Sequence, residues 1–278
     1  FIVLCVLFVS FPLFQFKIAI LFSHSYLHPV IVLMLAIVIP FFLSTGLNNI
    51  IYEKNIIRKE NLVVGCVFIL ISASFMNTVE AWISSFFLLF LFNFLVESYQ
   101  KDLPFSQFFN ASIILGALTF LYPNLIFLIL LLIISGVNYS NLNWRIIFTI
   151  FLGLITPYFF YFVFVFVTDV PFVIPEFFNF SQISFSTMEE VRLLKQIWMG
   201  TLLLVVLFSF FELFMWLYKK SIKSRKTFMT IIWFFIISIL IAVYSGAEYF
   251  YFTTIPLAII IGNYFVYTKN RKAANILF

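Results

Sequence analysis

Glu80 stands in the stretch MNTVEAW, residues 76–82, between two apolar runs. A carboxylate there, with Asn77 and Thr78 beside it, can hold a cation or take a proton from an acceptor hydroxyl. The same residue opening a helix at Ala81 is also what the helix dipole favours, with no chemistry attached. Asp169, Glu176 and Glu248 are the other acids that a site on the same face would draw on. His24 and His28, in SHSYLH, have the i, i+4 spacing of two imidazoles on one helical face. No HExxH glutamate lies between them and a third ligand is missing, so with Tyr26 they read as interfacial anchors. No metal or cofactor site is assigned. Glu212, in FSFFELFMWLYKK, lies inside an apolar run but near its end, where its side chain can reach toward Lys219 or Lys220.

The elements that must position these groups are apolar runs close to 20 residues long. The 278 residues are 64% hydrophobic and 10% charged, and 43 are Phe. A soluble domain cannot hide that much apolar surface, because roughly a quarter of ordinary residues are charged. The pattern predicts an all-α, multi-pass membrane protein forming a single transmembrane domain over residues 1–278. The runs are Phe1–Phe22, Pro29–Thr45, Leu62–Met76, Ala81–Val96, Pro104–Val137, Ile146–Thr168, Ile197–Tyr218, Phe228–Tyr244 and Phe250–Tyr267. Phe1–Phe22 reads as a span rather than a leader, since no small-residue cleavage site follows it; a few residues are expected to precede Phe1. Cys5 and Cys66 both lie in apolar runs, outside any metal-ligand spacing.

Pro104–Val137 is too long for one span and short for two. Basic-residue placement decides between these readings. With two spans joined at Tyr122-Pro123-Asn124, and the loop Gly46–Asn61 in the cytoplasm, 13 of the 16 basic residues fall inside. Only Lys17, Arg192 and Lys195 then lie outside. With one span, everything downstream flips and the cluster Lys219, Lys220, Lys223, Arg225 and Lys226 faces outward. The expectation is therefore about ten transmembrane helices with both termini cytoplasmic. Tyr122-Pro123-Asn124 becomes an outward turn, and the second arm, Asn124–Val137, would be about 21 Å long as an α-helix, short of the ~30 Å apolar core.

The longest outward loop is Asp169–Gln196. Asp169, Pro171 and Pro175 break the preceding helix, and Phe177, Phe178, Phe180, Ile183 and Phe185 are too apolar for a solvated linker. This segment is expected to lie in the interface and to lead into a short amphipathic helix from about Ser186, with Glu189 and Glu190 in its first turn.

No Walker loop, GxGxxG, CxxCH or GxSxG occurs, and no basic stripe with interleaved aromatics exists outside the apolar runs, which argues against nucleic acid as a partner. Three stretches, EKNIIRKENLVVGCVFILI, SQFFNASIILGALTFLYPNLIFLILLLIISGV and NWRIIFTIFLGLITPYFFYFVFVFVTD, together resemble an uncharacterised family of multi-pass inner-membrane proteins from gliding-type Gram-negative bacteria. The resemblance covers most of Leu47–Asp169. The same region is more remotely similar to the C-type polyprenyl-phosphate-dependent membrane glycosyltransferases, which implies a related architecture and an outward-facing catalytic acid. Those enzymes carry that acid in the first outer loop; here the loop, about Gln15–His28, contains no Asp or Glu. Glu80 is the one residue the resemblance carries over, with Asp169 as its candidate companion.

Two functions from different classes follow. The first is a non-catalytic or scaffold subunit of the bacterial inner membrane, working in cell-envelope assembly or secretion, with membrane lipids and other membrane proteins as partners. The second is an enzyme that moves a sugar from a polyprenyl-phosphate carrier on the outer face, using Glu80 with Asp169, Glu176 or Glu248.

Overall fold

The structure is a computed structural model, and it describes residues 29–59, 61–75, 79–169, 171, 175, 193–217 and 219–268. Nine α-helices are described: α1 Pro29–Glu53, α2 Val63–Phe75, α3 Val79–Glu97, α4 Phe105–Leu121, α5 Ile129–Asn138, α6 Trp144–Thr168, α7 Leu193–Leu217, α8 Ile222–Ser245 and α9 Thr254–Tyr267. Two 3-10 segments, Pro123–Leu128 and Ala247–Thr253, complete the set, and no strand occurs among the described residues. Among the described residues, four stretches are long and apolar enough to cross a membrane: Trp144–Thr168, Met199–Leu217, Ile222–Ser245 and Tyr249–Tyr267. The expected span over Phe1–Phe22, His24 and His28, and nearly all of the loop Asp169–Gln196 with its amphipathic helix lie outside the described residues.

The helices stop where the backbone turns left-handed. Asn55, Gln100, Ser140 and Asp169 have φ between 52° and 62°, and each lies just past the end of α1, α3, α5 or α6; Gly246, at φ 108°, follows α8. This is the usual way to satisfy the last carbonyls of a helix. After α5, for example, the amides of Asn141 and Leu142 both donate to the Gly136 carbonyl.

The chain divides into two compact units. The first comprises Phe1–Thr78, Gln182–Arg225 and Thr254–Phe278. Its centre is α9, in which every residue from Thr254 to Tyr264 is buried. Helix α2 lies close against α9, because a Cβ on Gly262 would come within 2.6 Å of Val64 Cγ2. Helix α1 meets α2 equally closely, with the Ser44 carbonyl 3.0 Å from where a Gly65 Cβ would sit. Leu43, Leu47 and Ile51 form a fully buried i, i+4 stripe on α1. That stripe carries α1 on to Glu53, so the connection expected over Gly46–Asn61 is shorter than its polar residues Asn48 and Asn49 indicate. The connection after α1 meets the start of α8 and the end of α9: Ser224 Oγ donates to the Ile56 carbonyl, and the Arg58 amide donates to Tyr267 Oη.

The second unit comprises Val79–Ser181 and Lys226–Thr253. Its central contact is α4 on α6. A Cβ on Gly153 would overlap Ser112 Oγ and stand 2.8 Å from the Phe109 carbonyl; one on Gly116 would stand 2.6 Å from the Leu154 carbonyl. Farther along, Thr119 shares a hydrogen bond with Tyr158, and the Phe120 ring meets those of Tyr158 and Tyr161. Contacts advance along both helices together, so α4 and α6 run parallel. The chain between them must therefore come back, and it does so alongside α8. Asn124 Nδ2 donates to Ser245 Oγ at one end of α8, and Asn138 Nδ2 donates to the Lys226 carbonyl and Thr230 Oγ1 at the other. Phe105–Asn138 is thus two arms folded at Tyr122. The returning arm is longer than an α-helix would make it: six residues rise in 3-10 form at ~2.0 Å each before ten in α form at ~1.5 Å, about 27 Å in all.

Candidate functional site

The acids singled out in the sequence are placed as follows. Glu80 is the second residue of α3, in the first turn, the position the helix dipole favours for a carboxylate. Asp169 is exposed and caps the C-terminus of α6 with φ 52°. It stands eight residues, about 12 Å of helix axis, beyond the contact of Tyr161 with Phe120. Glu248 belongs to the 3-10 segment Ala247–Thr253. Glu176, Glu189 and Glu190 lie outside the described residues. No group of three His, Cys, Asp or Glu able to hold a metal occurs among the described residues.

What the second unit does gather is aromatic. Tyr122, at the fold between the two arms, is met edge-on by Tyr249, Tyr251 and Phe252 at centroid distances of 5.6, 5.3 and 5.3 Å. The Asn124–Ser245 hydrogen bond lies beside this cluster. Edge-to-face rings fix the turn by quadrupole attraction as well as by burial. The opposite end of this unit is stitched by polar groups. Asn141 Nδ2 donates to the Ser98 carbonyl at 2.8 Å, Asn138 reaches Lys226 and Thr230, and Asn143 Oδ1 caps α6 by accepting from the Ile146 amide. Its basic residues, Lys101, Arg145 and Lys226, all lie at this end.

A sequence profile of one protein family matches residues 3–278. The chain belongs to a family of unknown function (DUF6427). No curated protein matches it, and no solved structure does. Membership of DUF6427 agrees with an uncharacterised family of apolar helical proteins and assigns no activity.

Two features of this DUF6427 protein escaped the sequence reading. One is Ser112-x-x-x-Gly116 on α4, a small-xxx-small pair that permits the close approach to Gly153; its i, i+4 spacing was available as a signal. The other is Lys220. In the first unit its ammonium is largely buried and donates to Asn263 Oδ1 at 2.6 Å, and Asn263 is itself only 3% exposed. Desolvation pulls the Lys220 pKa down to about 8. Glu212, one candidate partner, is met by the Thr268 hydroxyl.

The Lys220 shift has a signed consequence. In the unfolded chain this lysine titrates near its ordinary value of 10.5, so between about pH 8 and 10.5 the unfolded state binds more protons and stability rises with pH. The penalty for the buried charge is present in full below pH 8. The wild type should therefore gain stability relative to Lys220→Gln between pH 7 and 10, by at most about 3 kcal/mol. Paired thermal-unfolding curves in detergent measure this, and a difference that stays flat across the range contradicts the burial.

Proposed function

We propose that this protein is a multi-pass protein of the bacterial inner membrane, with about ten spans and both termini cytoplasmic, acting as a non-catalytic or scaffold subunit in cell-envelope assembly or secretion. The observation that carries the reading is the surface of α6 and α7. Only 22% of the apolar window of Trp144–Thr168 and 17% of that of Met199–Leu217 is buried. Phe148, Phe151, Phe159, Phe160, Phe164 and Phe166 stand out from α6, each more than half exposed. Such faces need a hydrocarbon or protein neighbour. The parallel run of α4 and α6, with its returning arm, supports the two-span reading of Phe105–Asn138, and the gathering of Lys101, Arg145 and Lys226 at one end of the second unit supports the orientation. Glu80 sits in the first turn of α3, where the helix dipole favours an acid, and Asp169 takes the left-handed position that ends α6, which Asp and Asn tolerate.

A strain lacking the gene, scored by whatever envelope defect it shows, tests the non-catalytic part. The double variant Glu80→Gln/Asp169→Asn is expected to complement fully at normal protein level, since removing the first-turn acid of α3 costs only about 0.3–1 kcal/mol and Asn suits the left-handed position after α6 as well as Asp does. Loss of complementation at normal protein level would favour the alternative, a polyprenyl-phosphate-sugar-dependent glycosyltransferase acting on the outer face, in which a missing carboxylate leaves proton transfer uncatalysed.

A further inference from the structure

Tyr267, the last residue of α9, anchors a corner of the first unit that the reading above does not use. Its hydroxyl accepts a hydrogen bond from the Arg58 amide at 3.1 Å, and Trp216 lies tilted against its ring at 6.1 Å. Two ammonium groups stand on that ring: Lys59 Nζ 5.2 Å and Lys220 Nζ 4.7 Å from its centroid. A third, Lys219 Nζ, stands 5.7 Å from the centroid of the Trp216 ring. These cations come from separate segments of the chain, the connection after α1 and the turn between α7 and α8.

Two of these ammonium groups share the Tyr267 ring, whose faces attract cations. The fold holds the Lys220 charge in a largely buried position, where desolvation disfavours it. A bound anion offsets that cost. Lysine ammoniums bind phosphate as point charges, and several of them suit a group with several acceptor oxygens. The corner also lies at the ends of two apolar stretches, Met199–Leu217 and Tyr249–Tyr267. Tyr and Trp rings at such ends occupy the level of lipid headgroups, and clustered lysines beside them attract anionic lipid.

We propose that Lys59, Lys219 and Lys220, set on the rings of Tyr267 and Trp216, form a binding site for a phosphate group, the one carried by an anionic phospholipid at the basic end of the spans. The site does not depend on whether the protein is catalytic.

Native mass spectrometry of the delipidated full chain tests it, with phosphatidylglycerol and phosphatidylcholine as probes. Phosphatidylglycerol should bind at least tenfold more tightly than phosphatidylcholine, and Lys59→Gln/Lys220→Gln should remove that preference. Lys101→Gln, a lysine of the other unit paired with Glu97, should keep it. Should Lys220→Gln fail to fold, Lys59→Gln/Lys219→Gln changes two exposed side chains and should lower the preference by at least threefold. Competition by millimolar inorganic phosphate would support the site and assign it to soluble phosphate groups as well; lysine-dependent binding without competition would support it and assign it to lipid. Equal binding of the two lipids, or undiminished phosphatidylglycerol binding by both double variants, would overturn the proposal.

Discussion

Ile155→Arg is expected to remove most of the protein from the membrane fraction. Ile155 is near the middle of the 25-residue α6 and is 58% exposed. An arginine at the centre of a span costs about 2.5–3.5 kcal/mol on insertion scales, on the order of a hundredfold in the inserted-to-excluded ratio. On a water-facing helix the same change would be harmless, because the side chain touches little of the protein. Ile155→Phe keeps the face apolar, as its neighbours Phe151 and Phe159 do, and should insert normally. The amounts of each variant in washed membranes decide the matter. Wild-type recovery of Ile155→Arg would show that this face does not meet lipid.

The second large effect is at Gly153. Even the methyl group of alanine would overlap Ser112 Oγ and press on the Phe109 carbonyl, which belongs to helix backbone and cannot swing aside. The expected cost of Gly153→Ala is about 1–3 kcal/mol, the range for overpacking. Gly200, on α7, gives the opposite sign. Nothing lies within 4 Å of its Cβ position, so Gly200→Ala should stabilise the helix by about 0.5–1 kcal/mol through backbone entropy. Thermal unfolding of the two variants side by side measures the contrast. A Gly153→Ala protein as stable as wild type would rule out the close α4–α6 contact.

The apolar helices were legible in the sequence because their signal is length and composition, which tertiary contacts do not override. The fold at Tyr122 was legible too, from Pro123 and Asn124 as turn residues. What was not legible depends on neighbours distant in sequence. Helix α1 continues past Gly46 because Leu47 and Ile51 find buried contacts. Helix α8 begins at Ile222 among basic residues, where periodicity is masked by charge. Gln100 and Ser140 adopt left-handed backbone although neither residue type advertises it. The 3-10 form of Pro123–Leu128 lengthens an arm that α geometry leaves short. For the candidate site, Glu80 and Asp169 stood out as isolated acids, but an acid that merely ends a helix looks the same in one sequence as an acid that works. The corner at Tyr267 was hidden because Lys59, Lys220 and Tyr267 are separated by long stretches of chain.

The orientation of the spans is the central claim, and cysteine labelling tests it most directly. In a background with Cys5 and Cys66 replaced by Ser, one cysteine is placed at Asp169, exposed at the end of α6, and in a second protein one is placed at Ile222, 62% exposed beside the basic cluster. A membrane-impermeant maleimide applied to intact spheroplasts should label Asp169→Cys, and should reach Ile222→Cys only after lysis. Labelling of Ile222→Cys in intact spheroplasts, with Asp169→Cys protected until lysis, would contradict the account.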